Sequence, residues 1–207
     1  MSLEPVNWTI TQALRELKTL DNRIQRVTNE TTFVSCGTKN NQRKDDKVHQ
    51  AVSKFQQVRD LKKRRDAVKA AIVHSNATTQ VKVGGVAYTV AEAIERKSSI
   101  HLDKHLLAQM KQQRMTIQNQ VDQQNRAAEQ KLQRLLEQNF GKDSTKTDPE
   151  SLKLTEDAFW VNNRWSLIDP LNLDTQIERL ENEIEEFEKN VDFALSESNS
   201  LNHIQVN

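Results

Sequence analysis

The sequence predicts a mainly α protein: long antiparallel helices of coiled-coil character, with one short β-hairpin between the second and third. Three observations carry that expectation. Aromatic residues are 5% and all hydrophobic residues 35% of the 207, too few large apolar groups for a thick core but enough for helices that pair along narrow seams. Gly37, Gly84, Gly85 and Gly141 fall where helical periodicity stops, while Pro5, Pro149 and Pro170 stand just ahead of helical patterns or at their first position. Val81, Val83, Val86 and Tyr88 alternate around Gly84-Gly85, the pattern of two strands joined by a two-residue turn with positive φ at both central positions.

The elements follow in order along a single elongated helical domain, 1–207. A helical hairpin is expected over 9–75. Its first helix, from about Thr9 to Glu30, carries Ile10, Leu14, Leu17, Ile24 and Val27 on one stripe. A polar link, Ser35 to Lys44, leads to a second helix from about Asp45 to Ser75, with Val48, Val52, Phe55, Val58, Val68 and Ile72 in line and Leu61 alongside. The β-hairpin corner covers 81–89. Thr89 stands three residues before Glu92, the spacing of a capping box that starts a helix.

A long helix then runs over 90–139, about 70 Å at 1.5 Å per residue. Ile100, Leu107, Val121, Ala128 and Leu135 keep a seven-residue step that Arg114 interrupts. Residues 140–168 form a loop and a short helix capped by Asp148-Pro149-Glu150, with Phe159 to Ile168 (FWVNNRWSLI) irregular or strand-like. Asp169-Pro170 starts a last helix, 170–197. There Leu173, Ile177, Leu180, Ile184, Phe187 and Val191 alternate steps of four and three, with Leu195 a further four on, the cleanest coiled-coil seam in the chain. The tail from Ser196 is expected to fray.

A net charge of +1 argues against nonspecific nucleic-acid binding by the whole surface, and no sequence-specific nucleic-acid contact is expected. Locally the balance is uneven. Arg43 to Lys69 holds ten Lys/Arg against four Asp, and Asp174 to Asp192 holds eight acids against two bases. These are either two solvated faces or segments that lie against each other, within or between subunits. Narrow seams make a homo-oligomer the expected state. One cysteine, Cys36, allows no intrachain disulfide. No signal peptide and no membrane span are read, so the expected home is the cytoplasm of a bacterial host cell.

No catalytic motif stands out, and the protein is expected not to be an enzyme. His101 and His105 share a helix face, but the run HLDKH lacks the glutamate of a zinc-protease motif; no metal and no cofactor are expected. The acids of the last helix spread around an exposed face, whereas paired catalytic carboxylates require one to be desolvated. Cys36 near His49 has no third partner, and GGVAYT lacks the ending of a phosphate loop.

Two sets of residues suit a ligand. Asn76, Thr78, Tyr88, Arg96 and Lys97 surround the hairpin, and Trp160, Asn162, Asn163, Arg164 and Trp165 lie in the later segment. Arginine with an aromatic ring and side-chain amides is what a nucleotide site uses, stacking for the base and forks for phosphate. The start of the third helix adds free N–H groups and a positive dipole end. The competing reading makes both tryptophans core plugs and pairs the arginines with Glu92 or Glu95.

The order of parts resembles the septicolysin-type family of small bacterial and phage helical proteins. The resemblance rests on a first helix ITQALRELKTLDNRIQRV, on Ile72, Ser75, Asn76 and Thr78, and on Val90, Glu92, Ala93, Ile94, Glu95 and Arg96 after the glycine turn. Trp165, Ile168, Asp169 and a closing helix IERLENEIEEFEKNV complete it. It covers most of the chain, is specific at Asn76 to Arg96, and implies a helical oligomer without supplying a reaction.

The expected function is therefore that of a non-enzymatic, homo-oligomeric binding protein, of phage or bacterial origin, that sequesters a small anionic, nucleotide-like immune signal. Arg96 and Lys97 would hold phosphate, Asn76 and Thr78 would read polar edges, Tyr88 or Trp160 would stack, and Arg164 would assist. The alternative is a structural coiled-coil scaffold or virion-assembly protein in which the corner only sets helix direction.

Overall fold

The computed structural model describes residues 6–36, 44–141 and 148–206. The architecture is mainly α, in the order β1 (Val6–Thr9), α1 (Ile10–Glu30), α2 (Lys44–Thr78), β2 (Gln80–Val83), β3 (Val86–Thr89), α3 (Val90–Phe140), α4 (Pro149–Asn163), α5 (Leu173–Leu201) and β4 (His203–Val206). None of these helices is long and apolar enough to cross a membrane. The expected link at Ser35 to Lys44, and the charged loop expected from Lys142 to Asp148 within 140–168, lie largely outside the described residues. The chain groups into two compact units, one of Met1–Ser99 with Glu185–Asn207, the other of Ile100–Ile184.

In the first unit α1 starts from a reciprocal cap. The Gln12 N–H donates to Thr9 Oγ1 (3.2 Å) and the Thr9 N–H to Gln12 Oε1 (3.0 Å), satisfying donors that a helix start leaves open. Its buried stripe is Ile10, Ala13, Leu17, Leu20 and Val27. Leu14, expected in that stripe, is 44% exposed, because the packed line runs through the small Ala13 and Leu20 on the neighbouring face. The core closes on Val68 and Ile72 of α2 and on Ile204 and Val206 of β4, with Trp8 and Leu61 packed against it. Arg64 and Arg65 pair with Glu16 and Asp21 of α1. The basic stretch of α2 thus meets acids of α1. The acidic helix α5 supplies Asp192 to Lys97 of α3.

The tail does not fray. Helix α5 continues to Leu201, and β4 pairs antiparallel with β1 in the register Val6↔Val206 to Thr9↔His203. This second small sheet was not expected. Alternation in HIQV explains it: Ile204 and Val206 enter the core, while His203 and Gln205 stay exposed. The Ile10 N–H donates to Asn202 O (3.1 Å) and Thr11 Oγ1 to Asn199 O (3.1 Å), tying the start of α1 to the end of α5.

In the second unit α3 buries Ala128 and Leu132. The interruption at Arg114 has a cause: its Nε and Nη2 donate to the two oxygens of Asp174 (both 3.0 Å), and Nη1 donates to Gln118 Oε1 (3.0 Å). A planar fork suits that bidentate grip. Lys111 pairs with Glu181. Phe159 to Asn163, expected irregular or strand-like, is the last part of helix α4. Asp148 caps that helix through Ser151 N (3.2 Å) with Pro149 at its start, and hydrogen bonds carry it to Asn163. Helix α5 begins at Leu173, three residues after Pro170. Asp169 accepts from Leu171 N (3.2 Å) and Leu173 N (2.7 Å), so Asp169-Pro170 makes a turn, with Asn172 at φ 52°, before the helix starts.

Candidate functional site

The hairpin corner forms as its residues dictate. Strands β2 and β3 pair from Gln80↔Thr89 to Val83↔Val86, and Gly84 and Gly85 take φ of +56° and +82°, which side chains resist. The Val90 N–H donates to Thr79 O (2.9 Å), locking the start of α3 beside the end of α2. Thr89 N donates to Glu92 Oε2 (2.7 Å) and Glu92 N to Thr89 Oγ1 (3.1 Å). The bond from the Thr89 main chain, and then that with its side chain, holds the Glu92 carboxyl below its ordinary range.

One turn on, the Arg96 guanidinium stands 5.1 Å from the ring centroid of Phe187 and 6.0 Å from that of Tyr88. The two rings meet edge to face at 5.8 Å, and Phe187 is buried. Lys97 pairs with Asp192. Tyr88 and Arg96 therefore come together as packing that fastens α3 to α5. Of the acids expected near it, Glu92 bonds Thr89, and Glu95 Oε2 accepts from Ser99 Oγ (3.2 Å).

Thr78 ends α2, its hydroxyl donating to His74 O (3.0 Å). It lines an open cleft of about 640 Å³ shared with His74, Ser75, Thr79, Asn202 and His203. Asn76 is half-buried on α2 and is not among the cleft's lining residues. Asn202 and His203 stand in the tail expected to fray; the alternation of HIQV is the signal that places them beside this cleft. Asn202 Nδ2 donates to Ser198 O and Oγ (both 2.9 Å), and His203 Nδ1 lies 3.0 Å from Leu201 O.

Trp160 and Arg164 belong to the second unit. The Arg164 guanidinium stands 5.3 Å over the Trp160 ring, which also meets Phe159 edge to face at 5.6 Å. Trp165 is half exposed and is no core plug. Asn125 holds its backbone, donating to Trp165 O (3.0 Å) and accepting from Trp165 N (2.9 Å). His101 and His105 are both exposed on α3, and among the described residues no three or more His, Cys, Asp or Glu gather as a metal site needs. Comparison with protein-family models, with curated proteins and with solved structures gives no match.

Proposed function

We propose that the protein is a non-enzymatic helical protein that acts by associating with copies of itself, as a scaffold or assembly component. One observation carries this reading: large apolar side chains at helical spacing stand in solvent. Val48, Val52 and Phe55 of α2 are each more than half exposed, and none of the 15 residues of α4 is buried. Burying such a side chain is worth about 1.5–3 kcal/mol, and a run of them on one face marks an interaction surface. The resemblance to septicolysin-type helical proteins points the same way. Static light scattering tests it: the expected mass is a multiple of 23.9 kDa, and a monomer at tens of micromolar overturns it.

The second reading keeps the expected role, a phage protein sequestering a small anionic nucleotide-like signal in a bacterial cytoplasm. The cleft beside the corner favours it, since about 640 Å³ falls in the range of small-molecule sites and Thr78 lines it. Its weakness is that Arg96 and Lys97, the intended phosphate grips, already bind Phe187 and Asp192. Calorimetry against cyclic and ADP-ribose-type nucleotides decides. Micromolar binding that Thr78→Val weakens, with the oligomer kept, supports it; no binding across the panel sinks it.

A further inference from the structure

We infer that the N-terminal half of α2 is the surface on which a second copy of this chain docks, α2 against α2 and antiparallel. The inference rests on the self-association reading and names its partner and geometry. Val48, Val52 and Phe55, 51%, 64% and 55% exposed, are spaced by four and three residues and so share one helix face. The Phe33 ring, 38% exposed, meets Phe55 edge to face at 6.4 Å, widening the apolar patch beyond the helix itself. The apolar line does not stop at Phe55: Val58 and Leu61, half-buried, lead it into the core that Val68 and Ile72 share with α1. One helix thus serves two seams, and among the described residues only the second is closed within the chain.

Charge selects the occupant and its direction. Asp45 and Arg59 lie seven residues either side of Val52, two helical turns in each direction and hence on the same face. Lys62 and Lys63 follow Arg59 and are exposed. A second α2 laid antiparallel with Val52 at the centre brings Asp45 of each copy to Arg59 of the other and stacks the Val48 and Phe55 ends together. A parallel partner would set Arg59, Lys62 and Lys63 against the same three cations. Flanking charges of this kind choose orientation in paired helices. The face is self-complementary about a two-fold axis, as a closed dimer requires.

The test uses the full chain. Val52→Glu with Phe55→Glu changes only exposed side chains, so helix content by circular dichroism should be unchanged while dimer dissociation rises at least tenfold. An oligomer of unaltered mass and affinity in that variant overturns this face while leaving self-association standing; a monomeric wild type overturns both. Direction is read in a Cys36→Ser background by mild oxidation. Asp45→Cys with Arg59→Cys should cross-link to covalent dimers and Asp45→Cys alone should not. Efficient cross-linking through Asp45→Cys alone, or none in the double variant, overturns the antiparallel register.

Discussion

Gly84 at the tip of the hairpin lies against the backbone of Glu186 on α5: a Cβ placed on it would stand 3.2 Å from the Glu186 carbonyl oxygen. The same glycine sits at φ +56°, so the turn geometry and the approach to α5 both ask for a residue without a side chain.

Gly84→Ala should therefore destabilise the protein by more than Gly85→Ala. Both substitutions meet a positive φ, a cost of about 1–2 kcal/mol, but a Cβ on Gly85 meets nothing within 4 Å. Urea unfolding midpoints measure the difference. Equal losses at the two positions would mean that the contact with Glu186 is immaterial.

The cap of α3 predicts a pH dependence. Hydrogen bonding to Thr89 lowers the folded-state pKa of Glu92, so the contribution is present above the unfolded carboxyl pKa and is lost as pH falls through the folded one. Glu92→Gln should flatten that part of the stability profile, followed by unfolding from about pH 6 down to about pH 3. Thr89→Ala, which removes the reciprocal acceptor, should cost about 1 kcal/mol at neutral pH.

In the second unit, Asn125 grips the backbone of Trp165 through one donated and one accepted hydrogen bond. Asn125→Ala should cost about 1–2 kcal/mol and raise hydrogen exchange at the Trp165 amide at least tenfold. An unchanged exchange rate would show that the segment after α4 is held by other contacts.

Ile204 is 6% exposed in the core with Ile10, Leu20 and Val68. Ile204→Ala should cost about 2–4 kcal/mol, whereas Gln205→Ala, on the exposed alternate position, should be near neutral. Thermal denaturation of both variants distinguishes a strand that closes the core from a tail that merely lies beside it.

Much of this was legible in the residues because it is local. Gly84-Gly85 between alternating valines specifies a tight hairpin, Thr89 with Glu92 specifies a helix start, and Asp148-Pro149 specifies another. What escaped depended on partners far along the chain. The strand His203–Val206 exists because Val6–Thr9 lies beside it. FWVNN reads as strand by composition, yet it continues a helix already nucleated at Asp148. In the candidate site, that Tyr88 and Arg96 lie around one corner was visible from their nearness in the chain. That Phe187 and Asp192 occupy Arg96 and Lys97 was not, since those residues lie more than ninety positions away.

By itself the sequence determined a mainly α chain with one glycine hairpin between its second and third helices, because caps, turns and periodicity act over a few residues. Only the tertiary structure decided which apolar positions are spent. Val68 and Ile72 are consumed in the core while Val48, Val52 and Phe55, equally apolar and on the same helix, are left in solvent. Periodicity tells that a face is apolar; burial is settled by whether another element arrives to cover it.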